Sequence, residues 1–423
     1  MAEHARALPA RRPHKSAVYQ KRGLEYFKKQ RYEDALDAFE QALQLYPNVD
    51  DALSKGQALA RLGRLEEALT ACEEASELDP EHAPIYICQG SVLHKLARPE
   101  EALAAFERFL ELVPDNLEAS VGRATLLTEL GHDEEALALY DQLLQLDSGN
   151  AAFLVQKGLL LLHLKRFQEA LATFDQAIEQ APDEAAAYLH KGTTLFELDQ
   201  PEEALIFLTQ ATEHDPAEPA AFVGRTLVLN ALGRHEEALA SAKQAIQLAP
   251  DDATASYHKG LTLDQLGRDE EAIKAYDRAI QLAPEHAALY YSSKGIALVR
   301  LGHLARAIKA FDQATNLAPD LVIAWANKGT ALSGLERNEE ALVAYNRAIE
   351  LEPNDTYAHA MKGSALKELG RYEEALEALN QALALDPTNP ELYNEKGEVL
   401  DQLGQAAEAE EVFARARELN WDG

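Results

Sequence analysis

The sequence predicts an all-α fold, a solenoid of twelve helix-turn-helix units. Three observations carry this. A glycine, after a basic residue everywhere but at Gly90, returns down the chain at Gly23, Gly56, Gly90, Gly158, Gly192, Gly260, Gly295, Gly329, Gly363 and Gly397, with Ala124 and Thr226 in the two remaining places. Nearly all spacings are 34, with 33 before Gly56 and 35 before Gly295. In the second half of each period apolar residues recur at helical spacing. Between the halves sits a recurrent turn residue.

The period divides the chain into units at 16–48, 49–82, 83–116, 117–150, 151–184, 185–218, 219–252, 253–287, 288–321, 322–355, 356–389 and 390–423. In the tenth unit Ala341, Leu342, Tyr345, Ala348 and Ile349 form a 3-4-3-4 apolar stripe, the mark of an amphipathic helix. The turn before that stripe holds Gly63, Gly131, Gly233, Gly267, Gly302, Gly370 or Gly404. A positive φ is expected there, which glycine reaches without penalty. Gln30, Ala97, Lys165, Asp199 and Glu336 fill the same place elsewhere. Pro99 and Pro201 open second helices, where a missing N–H costs nothing. Glu339-Glu340 and Glu373-Glu374 lie in a first turn, favoured by the helix dipole.

The pattern resembles the tetratricopeptide repeat family. The tenth unit carries Trp325, Gly329, Ala341, Tyr345, Ala348 and Pro353, and the first carries Tyr19, Gly23, Tyr26, Ala35, Phe39, Ala42 and Pro47. Ala52, Ser120, Ser256 and His359 depart from the early aromatic. The resemblance covers residues 16–423 and is similar to long bacterial arrays with this unit. It implies a right-handed superhelix with first helices lining a concave face. Stability is then local plus nearest-neighbour.

Two second-helix positions are expected to pack on the following unit. The first is Leu or Ile in units one to eleven, as at Leu36, Ile273 and Leu342. In the last unit the two positions hold Glu410 and Arg417. Burying either charge is expensive, so this helix is expected to be a polar cap that ends the array.

The formal net charge is −31. Residues 1–15 hold four basic groups and one acidic, and are expected to be a basic disordered tail. The acidic remainder opposes nucleic acid and anionic membranes. No run of 18 apolar residues suggests membrane insertion. Two cysteines and no signal peptide suggest a reducing, cytoplasmic setting.

Motifs for chemistry are missing. There is no HExxH, no pair of CxxC motifs, no phosphate loop and no nucleophile elbow. Cys72 stands at a packed aromatic position, and Cys88 near a helix face open to solvent. No catalysis, cofactor or metal is expected. The near-constant Lys or Arg before the landmark glycines forms a periodic stripe: a basic ladder, or stems lying along a helix with each head on a neighbouring carboxylate.

The resemblance places ligand contacts at fixed positions of the first helix. Here these are Val155, Leu159 and Leu162; Leu189, Thr193 and Phe196; Val223, Leu227 and Asn230; and Tyr257, Leu261 and Asp264. Residues 155, 159 and 162 also share one helical face by spacing alone. Units ten to twelve place Ala326, Thr330, Ser333, Ser364, Lys367, Asn394, Glu398 and Asp401 there, so the face turns polar. The apolar strip suits an extended segment or an amphipathic helix, or else packs adjacent first helices. Leu189, Thr193 and Gly224 do not match the family's carboxylate clamp, and only Asn327 matches its asparagine ladder. The expected function is a non-catalytic protein- or peptide-binding scaffold. Alternatives are a regulatory or co-chaperone-like subunit of a dedicated enzyme or secretion partner, and a self-assembling structural protein. The oligomeric state stays open.

Overall fold

The computed structural model describes residues 14–419. Among them are twenty-four α-helices and one 3-10 turn, with no strand. The chain divides into two compact units, one ending at Thr194 and the other beginning at Leu195.

The first unit holds α1 (His14–Lys28), α2 (Tyr32–Leu45), α3 (Val49–Arg61), α4 (Leu65–Leu78), α5 (Pro84–Lys95) and α6 (Pro99–Leu112). It continues with α7 (Leu117–Glu129), α8 (Asp133–Leu146), α9 (Ala151–His163) and α10 (Phe167–Gln180). The boundary falls inside α11 (Ala185–Glu197). The second unit runs through α12 (Pro201–His214), α13 (Pro219–Ala231), α14 (His235–Leu248), α15 (Ala253–Gln265), α16 (Asp269–Leu282) and α17 (Ala288–Arg300). It closes with α18 (Leu304–Leu317), α19 (Val322–Ser333), α20 (Asn338–Leu351), α21 (Thr356–Glu368), α22 (Tyr372–Leu385), α23 (Pro390–Gln402) and α24 (Ala406–Glu418).

Helix boundaries follow from local chemistry. The Asn48, Asn116, Asn150, Asp252, Asp355 and Asn389 side chains cap first helices by accepting backbone N–H bonds. First helices end in a left-handed residue. The Gly131 N–H donates to the Thr128 carbonyl at 3.0 Å and the His132 N–H to the Leu127 carbonyl at 2.8 Å. That double closure is the Schellman motif, which requires φ > 0 at Gly131, here +75°. The same conformation occurs at all five predicted non-glycine places, including Ala97 at 55° and Glu336 at 61°. The extra residue between Gly260 and Gly295 is taken up by a 3-10 turn at Pro284–His286.

Two expectations change. The basic tail was bounded at residue 15, but His14 and Lys15 belong to α1, and residues 1–13 lie outside the described residues. Cys88, expected near solvent, is buried, because α5 turns it into the apolar cluster that also holds Cys72.

From α1 to α10 and from α12 to α24 each helix packs on the next, and the landmark glycine sets the approach. A Cβ on Gly329 would lie 2.4 Å from the Tyr345 ring, and one on Gly158 2.3 Å from the Phe174 ring. Gly260 meets Tyr276 and Gly397 meets Phe413 in the same way. The partner stands sixteen residues after the glycine, a ring in most hairpins but Cys72 opposite Gly56 and Leu379 opposite Gly363. One departure shows the compensation: Thr226 replaces the glycine where Ala242, sixteen residues on, replaces the ring, and both are fully enclosed.

First helices also touch the first helix of the next hairpin. In the first unit α1 adjoins α3 and α3 adjoins α5; in the second, α13, α15, α17, α19, α21 and α23 adjoin in series. No comparable row joins α14, α16, α18, α20 and α22 among the described residues. The first-helix side of each unit is therefore the more tightly packed edge. On α24, Glu410 and Arg417 are exposed and pair with each other at 2.7 Å.

Two predictions test this. Ala97→Gly should stabilise the α5–α6 hairpin and Gly370→Ala should destabilise α21–α22, each by about 1 kcal/mol, because a Cβ is disfavoured at positive φ. Amide exchange of the flanking helices reads both. Ala242→Phe should cost about 1–3 kcal/mol by overpacking against Thr226, and adding Thr226→Gly should recover most of that loss in the same exchange measurement.

Candidate functional site

The candidate site is built on the first helices, whose exposed edge presents the same register positions in successive hairpins. In the first unit α9 carries Val155, Leu159 and Leu162, and α11 carries Leu189 and Thr193. Val155 is only 4% exposed and packs with Ala151, Leu154, Ala177 and Ala187, so it is core. Leu159, Leu162, Leu189 and Thr193 are half-buried. In the second unit Phe196, Val223, Leu227, Asn230, Tyr257, Leu261 and Asp264 are all half-buried. Tyr257 and Leu261 lean on the core while keeping part of their surface free. Partial burial serves both packing and contact.

Polar groups on this edge are tied into rungs between successive first helices. The Asn230 amide donates to the Thr262 hydroxyl at 2.8 Å, and Thr330 pairs with the Tyr357 hydroxyl at 2.7 Å. The Ser364 hydroxyl meets both oxygens of Glu395, at 2.9 and 2.7 Å. The Lys367 ammonium donates to Glu398 at 2.7 Å. The Arg300 guanidinium donates to both Asp264 and Asp269. Burial pushes the Asp264 carboxyl up from its ordinary range, against the opposing pull of Arg300. Burial likewise raises Glu395, and the Ser364 hydroxyl only partly offsets it. Ser333 bonds Asn338 within its own hairpin, Asn394 bonds Glu398, and Ala326 is buried.

Tyr257 heads an aromatic group that spacing alone did not assemble. Its ring centroid lies 4.7 Å from Tyr290, 5.4 Å from His258 and 5.9 Å from Tyr276. Burial lowers His258, favouring the neutral imidazole, and raises the Tyr276 phenol. Tyr290 comes into reach after the 3-10 turn.

A second concavity was missed in the sequence. A pocket of about 630 Å³ opens in the first unit, with Phe27, Ile87, Val92 and Phe109 as apolar walls. Ile87 and Ser91 hold the register places that Val155 and Leu159 hold two hairpins later. Arg61 and Lys95 stand on its lining beside Glu118, and neither cation forms an ion pair with another described residue. Their signal was present, since both close the last turn of their helices, but the acidic totals hid it.

Among the described residues six members of the basic stripe form ion pairs, five of them reaching back to the preceding helix. Lys157 meets Asp141 at 2.7 Å, Lys328 meets Asp312 at 2.7 Å and Arg123 meets Glu107 at 3.4 Å, while Lys191 pairs with Asp175. These heads are occupied, and their stems are largely covered. Asn327 donates to the Ile323 carbonyl of its own helix at 2.8 Å. Among the described residues no group of three or more His, Cys, Asp or Glu could hold a metal ion, and no helix is long and apolar enough to cross a membrane.

Family models described as tetratricopeptide repeat match residues 21–83, 89–151, 161–222, 227–287, 288–321, 322–355, 344–377 and 390–420. A further one, described as TPR repeat, matches 363–404. No curated protein matches the chain. Among solved structures it is similar to that of the APC/C hetero-tetramer Cut9-Hcn1, at 16% identity and a TM-score of 0.50, covering 92% of this chain and 97% of that one. It is also similar to yeast Tom70, at 18% identity and a TM-score of 0.42, covering 96% and 92%. At 16% identity the first likeness is one of fold.

Glu395 supplies a pH prediction. Its folded pKa lies above the unfolded value, so its charge opposes folding at neutral pH and the penalty fades as pH falls through the folded pKa. Glu395→Gln keeps a partner for Ser364 and should match or exceed the wild type at pH 7. Its advantage should shrink on acidification toward the ordinary carboxylate range. Exchange protection of α21 and α23 against pH checks the sign.

Proposed function

Since this chain belongs to the tetratricopeptide repeat family, we propose that it is a non-catalytic scaffold that holds a protein or peptide segment on the edge formed by its first helices. The observation that carries the reading is the set of half-buried apolar side chains on the first helices of each unit, Leu159, Leu162 and Leu189 in the first and Val223, Leu227 and Leu261 in the second, with polar rungs of the second unit already satisfied within the protein. Such a row gives a partner apolar contact without leaving buried polar groups unpaired. In this reading the helices form twelve units of a right-handed superhelix, and the first helices face its concave side. Acidic groups on exposed second-helix turns keep the outer surface hydrated and repel phosphate-rich partners.

Val155 acts in this reading by supporting the α9 wall from beneath. Leu159, Leu162, Leu189, Thr193, Phe196, Val223, Leu227, Asn230, Tyr257, Leu261 and Asp264 supply the surface. Tyr257 and Tyr290, with ring centroids 4.7 Å apart, offer a rigid aromatic area.

Crosslinking mass spectrometry on complexes captured from the native lysate tests this. Partners should crosslink to α9, α11, α13 and α15. They should be lost from a Leu159→Gln, Val223→Gln, Leu261→Gln variant whose circular dichroism is unchanged. Crosslinks confined to second helices, or partners retained by the variant, would overturn the reading.

A further inference from the structure

Cys72 and Cys88 are the only cysteines in the chain, and both are free and buried in the first unit. Cys72 on α4 is fully enclosed, whereas Cys88 on α5 keeps 7% of its surface. Both belong to one apolar cluster. They stand sixteen residues apart, and the repeat register gives that spacing a meaning. Phe174 and His190 hold the same two places three hairpins on, with stacked rings 6.0 Å between centroids. One place further along the same seam, Lys157 meets Asp141 at 2.7 Å. Side chains at this spacing face each other between a second helix and the next first helix. The two thiols are therefore neighbours across the α4–α5 seam. The neighbouring Cys88 thiol, aided by burial, holds Cys72 well above the ordinary thiol range, so Cys72 stays protonated. Cys88 lines the 630 Å³ pocket together with Ser91 and Lys95, which places the residue beside space that a small polar molecule can enter.

We propose that Cys88 is a peroxide-reactive thiol and Cys72 its resolving partner, so that oxidation closes a Cys72–Cys88 disulfide behind the pocket wall. The Cys88 thiolate attacks one oxygen of hydrogen peroxide, the O–O bond breaks, and the departing hydroxide takes a proton to leave as water. Cys88 is now a sulfenic acid. The Cys72 sulfur then attacks the Cys88 sulfur and displaces hydroxide, which takes the Cys72 proton and leaves as a second water. Two thiols are oxidised by two electrons and one peroxide is reduced to two waters. The bond ties α4 to α5 and fixes the wall that carries Ile87 and Ser91. A purely structural role, with two small side chains filling the seam, leaves both thiols inert.

The test is made on the folded full-length chain with hydrogen peroxide alone, read by intact mass, thiol count and a non-reducing peptide map. Both thiols should vanish together, with the mass falling by two hydrogens. One Cys72–Cys88 crosslinked fragment should appear, and a dithiol should restore both. In Cys72→Ala, Cys88 should instead gain oxygen atoms or link between chains. Survival of both thiols in the folded wild type overturns the proposal. So does oxygen accumulation on Cys88 without a link, or a disulfide formed only between molecules. The wild-type arm decides the question even if the variant does not fold.

Discussion

Everything in this fold depends on how closely two consecutive helices can approach, and a missing Cβ sets that distance. At Gly158, Gly260 and Gly329 an aromatic ring occupies the volume a side chain would need. The ring then seals a hairpin that cannot close its own apolar stripe, and the next hairpin covers the other side. Thr226 and Ala242 show that what is required is the combined volume at the seam, more than the glycine itself. The left-handed turn residue works with this contact. Its Schellman closure fixes the angle at which the second helix returns over the first, even where Lys165 or Asp199 must adopt the strained φ.

The same geometry governs the electrostatics. Arg64, Arg98, Arg166, Arg234, Arg268, Arg337 and Arg371 stand at the N-cap of second helices and bind the carboxylate three residues on. They hold carboxyls such as Glu67, Glu169 and Glu340 below the usual range. Lys55, Lys157, Lys191, Lys294 and Lys328, which precede landmark glycines, are paired across the seams. Most of the basic charge is thus spent internally, while the acidic excess stays in solvent. Arg61 and Lys95 are among those outside these pairs, and both line the pocket that Cys88 also lines.

Much of the candidate site was legible in the sequence. Helical spacing puts Leu159 and Leu162 on one face, and Tyr257, Leu261 and Asp264 on another, and the structure keeps them there. What spacing could not convey was depth. Val155 shares the face but lies below its surface, because Ala151 and Ala187 are small enough to let α9 and its neighbours close over it. Cys88 was misplaced for the same reason. The rungs Ser364–Glu395 and Thr330–Tyr357 were invisible too, since they join residues about one period apart whose partnership depends on the offset between stacked helices.

The sequence by itself determined the elements: the helices, their turns with positive φ, the seam residues and the all-α class. These rest on short-range constraints, such as helical periodicity, capping and the steric cost of a Cβ, which a local stretch of chain carries whole. Tertiary structure alone decided which half-exposed side chains keep free surface, which lysines find a partner, and how deeply Val155 and Cys88 are buried. Those outcomes depend on small rotations and offsets between hairpins, summed over many weak contacts, and no local stretch of residues encodes them.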